Sequence, residues 1–290
     1  MRYGMNSPIF GDYADVRLLA ARAREAEDAG WDGFFVWDHV QWSGEDDGEP
    51  RRPAVDPWIA LTAIALNTER VRIGPLVTPL PRRRPWKVAR ETVTLDNLSR
   101  GRLILGVGLG FPPGLEYGDF GEETADKVRA EKLDEGLEVL TGLWSSEGEP
   151  FRYDGRHYKI SNAIMLPRPL QQPRIPVWVA GFWPGSKAPF RRAARWDGVV
   201  PILPGETPPE QGPDLVREML AYIQQHRQSQ SPFDLVVTGQ TVGDGTEEDT
   251  RLVRAYAEAG ATWWLEDVSH WRGSPSVVRE RIRKGPPHIE

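Results

Sequence analysis

Apolar positions follow two rhythms along the chain. Short runs that are apolar on both faces, such as Phe34-Phe35-Val36 and Leu103-Ile104-Leu105, alternate with stretches where apolar residues recur every three or four positions. The first pattern suits parallel strands covered on both sides, the second helices with one apolar stripe. Strands are predicted over Arg2–Met5, Gly33–Trp37, Val71–Val77, Leu103–Val107, Val177–Ala180, Gly198–Ile202, Leu235–Gly239 and Thr262–Leu265. Helices are predicted over Asp15–Ala29, Pro57–Leu66, Trp86–Ser99, Thr124–Trp144, Ser186–Arg195, Pro213–Gln228, Glu247–Ala259 and Ser276–Arg283. Strict alternation of this kind predicts an α/β fold, a (β/α)8 TIM barrel. An open doubly wound sheet is the competing reading, because a strand count does not show closure.

Three helix-to-strand joints share one shape: Ala29-Gly30-Trp31-Asp32-Gly33, Ala194-Arg195-Trp196-Asp197-Gly198 and Ala259-Gly260-Ala261-Thr262-Trp263. Gly30 and Gly260 suit the left-handed residue that closes a helix. Such joints lie on the stability face of a barrel and read as packing rather than chemistry. The alternation breaks once. Between the fourth and fifth strands about 70 residues, Gly108 to Pro176, hold a helix and a hairpin, Phe151 to Ile160, with Asp154-Gly155 as its turn. Residues 1–290 are therefore read as one barrel domain, with an insertion at about 108–176 as a lid or substrate wall.

Composition narrows the chemistry. The chain of 290 residues has no cysteine, which removes disulfides, cysteine-held metals and thiol nucleophiles. Its 36 Lys+Arg against 42 Asp+Glu leave a net charge of −6, which argues against nucleic acid as a partner. The amino-terminal residues lack the apolar core of a signal peptide, and no run of about 18 uncharged apolar residues occurs, so a cytoplasmic protein without a membrane partner is expected.

In a barrel the reactive face is where strands end. The residues there are Trp37-Asp38-His39-Val40-Gln41-Trp42, Pro75-Leu76-Val77-Thr78, Gly106-Val107-Gly108-Leu109-Gly110-Phe111 and Ala180-Gly181-Phe182-Trp183-Pro184-Gly185-Ser186. No nucleophile–base pair or metal cage is visible among them. Bare backbone and flat rings suit a large planar, partly anionic ligand. His39 is the one imidazole at a strand end; it reads either as a proton donor or acceptor oriented by Asp38, or as half of a loop pair capping a turn. His157, His226, His270 and His288 fit no metal spacing and read as surface residues. The glycine run at Gly106–Gly110 is followed by Phe111-Pro112-Pro113, which cannot open a dinucleotide-binding helix. Gly181 to Ser186, leading to a helix with Ser186 at its N-cap, suits a phosphate or an ordinary connection. Arg82-Arg83-Arg84 reads either as a contact for an acidic cofactor tail or as a solvated loop balanced by Glu45-Asp46-Asp47.

Together these segments resemble the bacterial luciferase-like family of flavin- or deazaflavin-dependent oxidoreductases, across nearly the whole chain. The carriers are Ala29–Gly33 leading to Asp38-His39, Asp56-Pro57-Trp58, Arg70–Pro75, Leu95–Arg102, Gly106–Gly110 and Pro176–Gly181. Each is weak alone; their order and spacing are specific. The resemblance implies a TIM barrel that binds coenzyme F420, or alternatively FMN. It also implies a cis peptide after the third strand at Pro75–Leu76, give or take one residue. Cofactor contacts are implied at Asp38, Pro75, Leu76, Val77, Thr78, Gly108, Gly110, Ala180, Gly181, Phe182, Trp183 and Ser186. Asp38 and His39 are implied as the catalytic pair, and Phe10, Trp37, Trp42 and Phe111 as the substrate pocket, with no metal.

Phe111 stands where the sugar-phosphate dehydrogenases of the F420 branch carry a glutamate, which argues against a sugar phosphate. Leu109-Gly110-Phe111 lacks the arginine common in the FMN monooxygenases, which favours F420. The expected function is two-electron hydride transfer between F420 and a small apolar or aromatic organic substrate. The alternatives are an FMN-dependent monooxygenase using O2 and reduced flavin from a partner reductase, and a non-catalytic flavin-binding barrel. The resemblance further implies a homodimer.

Overall fold

The structure, a computed structural model, describes residues 1–42, 52–205, 211–287 and 289. Glu45-Asp46-Asp47 and His288 therefore lie outside the described residues. The strands are β1 (Arg2–Ser7), β2 (Gly33–Val36), β3 (Arg72–Pro75), β4 (Thr78–Pro79), β5 (Leu105–Gly108), β6 (Phe151–Asp154), β7 (Lys159–Ala163), β8 (Val177–Phe182), β9 (Gly198–Ile202), β10 (Asp234–Gly239) and β11 (Trp263–Asp267). The helices are α1 (Val16–Asp28), α2 (Pro57–Asn67), α3 (Pro85–Leu98), α4 (Pro113–Glu116), α5 (Asp126–Ser145), α6 (Ala188–Ala193), α7 (Gly212–His226), α8 (Glu247–Glu258) and α9 (Pro275–Arg283).

All strands except β6 and β7 join one parallel sheet in the order β3-β2-β1-β11-β10-β9-β8-β5-β4. β3 and β4 are two halves of one stave, separated by Leu76-Val77. The ring closes where Ile73 bridges Leu103 and where β4 pairs with β5. Eight staves in a closed parallel ring make a TIM barrel, and closure settles the sequence reading against the open sheet. The predicted strand Val71–Val77 thus stops at Pro75, and a further piece at Thr78–Pro79 pairs with β5 after the bulge.

Local chemistry starts the helices. Asp15 accepts from the N–H groups of Arg17 and Leu18, at 2.8 and 3.2 Å, and Asp56 caps α2 in the same way ahead of Pro57. Gly30 and Gly260 have φ of +91° and +103°, as their joints require. The lumen is plugged by Phe35, Trp178 and Trp263, whose ring centroids lie 5.4 to 5.7 Å apart. A Cβ on Gly33 would stand 2.7 Å from Phe35, and one on Gly198 2.5 Å from Trp178. The repeated Trp-Asp-Gly joints therefore make room for the plug.

The excursion after β5 divides in two. Its long helix α5 buries Leu133, Leu137 and Leu140, and Trp144 Nε1 donates to Thr92 Oγ1 on α3 at 3.1 Å, so α5 is an ordinary barrel helix. The β6–β7 hairpin is turned by four residues rather than two, since Asp154 pairs with Lys159. Glu135 of α5 receives the backbone N–H groups of Arg156, His157 and Tyr158, which anchors that hairpin to the helix. The segment from Phe111 to Glu122, which includes α4, reaches the barrel mouth. Among the described residues no helix is long and apolar enough to cross a membrane.

Candidate active site

At the carboxyl ends of the strands the lumen finishes in a shallow apolar floor. Leu76 and Val200 are 8% exposed and Val77 and Ala180 half-buried, all packed on the plug below. The bulge carrying Leu76 and Val77 has its cis peptide at Leu76–Val77, one bond later than the expected Pro75–Leu76. β5 must run close beneath it. A Cβ on Gly106 would lie 2.4 Å from the Pro75 carbonyl oxygen, and one on Gly108 would lie 2.8 Å from Val77 Cγ2. These glycines are thus required by the neighbouring stave. Gly110, at φ +85°, turns the chain against Pro79 and Tyr117.

Beside the floor lies a buried ionic chain drawn from three strand ends. Asp38, just after β2, accepts from Thr78 Oγ1 at 2.8 Å, Arg82 Nη2 at 2.6 Å and Arg83 Nη2 at 2.9 Å. Arg82 continues to Glu116 on α4, Nη1 to Oε2. Glu116 Oε1 then meets His39 Nδ1 at 2.7 Å. Both carboxylate side chains are fully enclosed. Two arginines balance two carboxylates, which is what makes such burial tolerable. His39 titrates well below its ordinary range, at about 4, chiefly because burial disfavours the imidazolium; Asp38 opposes this and Arg82 adds to it. The imidazole is neutral at physiological pH.

An aromatic wall packs against His39. Phe10 and Trp42 stack with centroids 4.6 Å apart and planes 9° apart, and Trp42 lies 4.8 Å from the His39 ring. Trp37 lies 5.5 Å from Phe10 and is held by Nε1 donating to Asn6 Oδ1 at 3.0 Å. A cavity of about 460 Å³ opens onto His39, lined also by Val55, Arg82, Arg83, Glu116 and Phe120. Neutral imidazole, apolar floor and aromatic wall together can bind a flat ring and move one proton beside it.

The family model described as luciferase-like monooxygenase matches residues 1–284. The chain belongs to this family. Among curated proteins, the F420-dependent glucose-6-phosphate dehydrogenase of Nakamurella multipartita is 32% identical over 188 residues, covering 63% of this chain and 51% of that protein. The chain spans about half the length of the curated relatives it matches first. Among solved structures, an F420-dependent secondary alcohol dehydrogenase in complex with an F420–acetone adduct superposes with a TM-score of 0.78. It is 16% identical, and the match covers 100% of this chain and 99% of that one. The monooxygenase RslO1 from Streptomyces bottropensis is 25% identical with a TM-score of 0.67, covering 89% and 77%.

In this luciferase-like chain the predicted residues fall into separate groups. Phe10, Trp37, His39 and Trp42 come together, and Asp38 and Thr78 join them through the ionic chain. The carboxylate on His39, however, belongs to Glu116 and not to Asp38, which is occupied by Thr78 and the two arginines. Phe111 stands apart and pairs edge-on with Phe182 at 5.5 Å, both rings half exposed or more. Trp183 leaves the mouth altogether: its ring is buried against Phe190 at 4.8 Å, with Lys187 Nζ 3.2 Å above it. The helix after β8 begins at Ala188 and not at Ser186, and it has six residues, because Pro184 and Gly185 prolong the turn. Ser186 Oγ still accepts from the Ala188 N–H at 3.3 Å.

Arg82 and Arg83 both pair with the enclosed Asp38, so they are not a freely solvated loop. His270, read as a surface residue, lies 5.8 Å from Phe10, and Trp271 lies 5.5 Å from Trp37. Sequence reasoning missed Glu116, which follows Pro112-Pro113 in what reads as an excursion. Its neighbours Leu115 and Tyr117 were the available signal for a buried acid eight residues past Gly108.

Proposed function

We propose that this luciferase-like chain is an oxidoreductase that binds coenzyme F420 at the barrel mouth and exchanges a hydride with a small apolar or aromatic organic substrate. The observation that carries the reading is a neutral, buried imidazole packed against an aromatic wall and joined through Glu116, Arg82 and Asp38 to Thr78, which follows the apolar floor. F420, when bound, supplies a ring carbon that accepts or returns a hydride. Leu76, Val77, Ala180 and Val200 offer the aliphatic surface that would back a planar ring, with Pro75 and Thr78 framing it. Gly108 keeps a side chain off the floor beside Val77 and Ala180, Gly110 supplies the turn that follows, and the backbone of Gly181 to Ser186 would serve a phosphate. Phe10, Trp37 and Trp42 exclude water and select an apolar substrate by contact area. His39 takes or gives the proton that accompanies the hydride. Enclosed by paired partners, Asp38 holds Thr78 and the two arginines in place rather than meeting the substrate.

A second reading has its own support: the structural relative at 25% identity is a monooxygenase. In that reading FMN occupies the same floor and a partner reductase supplies it reduced. Titrating the purified apoprotein with F420 and with FMN, followed by absorbance, separates the two. Micromolar binding of F420 with weaker FMN binding is expected, and FMN binding without F420 binding overturns the first reading. His39→Ala is expected to keep cofactor affinity and to abolish turnover; unchanged turnover removes His39 from the proton transfer.

A further inference from the structure

We infer that Glu116 is a positioning residue that locks His39 in the Nδ1–H tautomer, so that Nε2 is the nitrogen that exchanges the substrate proton. The inference rests on the proposed oxidoreductase reading only for the use made of Nε2. The geometry is independent of it. Glu116 Oε1 lies 2.7 Å from His39 Nδ1, and its other oxygen is paired with Arg82. An arginine is permanently charged, and one enclosed against a carboxylate keeps that carboxylate ionised. An ionised carboxylate only accepts, so the proton between the two groups sits on Nδ1. Among the described residues no other protein group bonds the ring, which leaves Nε2 with a free lone pair.

The rest of the chain fixes the direction of this arrangement. Arg82 also donates to Asp38 at 2.6 Å, and Asp38 is held by Thr78 at 2.8 Å. Thr78 opens β4 immediately after the bulge that carries the apolar floor. Floor, arginine, carboxylate and imidazole are thus one continuous set of contacts from β4 to α4 to the loop after β2. When Nε2 gains a proton, the positive charge formed on the ring faces the Glu116 carboxylate. That is the role an orienting acid plays for a histidine base. The short helix α4 is the part of the excursion that completes the site.

The test reads the tautomer directly. Protein labelled with nitrogen-15 histidine, without cofactor at pH 7, gives two-bond proton–nitrogen correlations in which protonated and bare ring nitrogens differ. The His39 signals are assigned by their loss in His39→Gln. Wild type is expected to show Nδ1 protonated and Nε2 bare. In Glu116→Gln the amide oxygen serves Arg82 and the amide N–H₂ faces the ring, so the pattern is expected to invert. With cofactor and substrate, kcat is then expected to fall about 100-fold or more with KM little changed, as for a histidine held in the wrong tautomer. Nε2–H in the wild type overturns the inference without any variant. So does an unchanged tautomer in a folded Glu116→Gln. Neither result depends on cofactor binding, whose failure would instead overturn the oxidoreductase reading.

Discussion

Burial of His39 has a measurable consequence for stability. Its folded-state pKa of about 4 lies below the 6.5 of a free imidazole, so acid protonates the unfolded chain first. The contribution is therefore neutral above about pH 6.5 and becomes destabilising as pH falls toward 4. The whole interval corresponds to about 3 kcal/mol, of which about 2 kcal/mol is already lost at pH 5. Solvent screening removes little of this, since the His39 side chain is only 19% exposed. Comparison with His39→Gln isolates the effect, because glutamine retains an N–H for Glu116 but does not titrate. Urea unfolding of both proteins at pH 7.5 and pH 5 is the assay. Wild type should lose about 2 kcal/mol more than the variant between the two conditions. Parallel losses would show that the folded imidazole takes up a proton as readily as a free one, through solvation or through support from the Glu116 carboxylate, and the account of a neutral base would fall.

Two further outcomes follow from the barrel. Trp178→Ala, which empties the centre of the lumen plug, should lower unfolding free energy by about 3–5 kcal/mol in denaturant titration; a loss under 1 kcal/mol would mean that the plug is not packed as described. Gly74→Ala places a Cβ 1.9 Å from the Ile104 carbonyl oxygen, a backbone atom that cannot swing aside, whereas Gly114→Ala meets nothing within 4 Å. The first should lose at least about 3 kcal/mol and the second almost nothing; equal thermal unfolding temperatures for the two would refute the close approach of β3 to β5.

What the sequence determined alone is whatever short-range chemistry determines. Asp15 and Asp56 start helices through atoms two and three residues away. Gly30 ends one because only its own φ matters. Runs such as Phe34-Phe35-Val36 announce parallel strands, and enough of them in alternation announce the barrel. His39 and the Phe10–Trp37–Trp42 wall were legible for the same reason: they sit at strand ends, and a barrel brings strand ends together.

Tertiary structure decided what depends on distance in space rather than along the chain. Glu116 is 77 residues from the imidazole it holds. Arg82 and Arg83 look like a solvated run until Asp38, more than 40 residues away, turns out to be enclosed with them. Trp183, beside Phe182 in sequence, leaves the mouth because the turn at Pro184 directs its ring between Phe190 and Tyr222. A buried charge must find its opposite within a few ångströms, and neither periodicity nor composition says which one. The hydrophobic pattern built the barrel; the pairing of its enclosed charges, set only when the strands closed into a ring, chose the partner of His39.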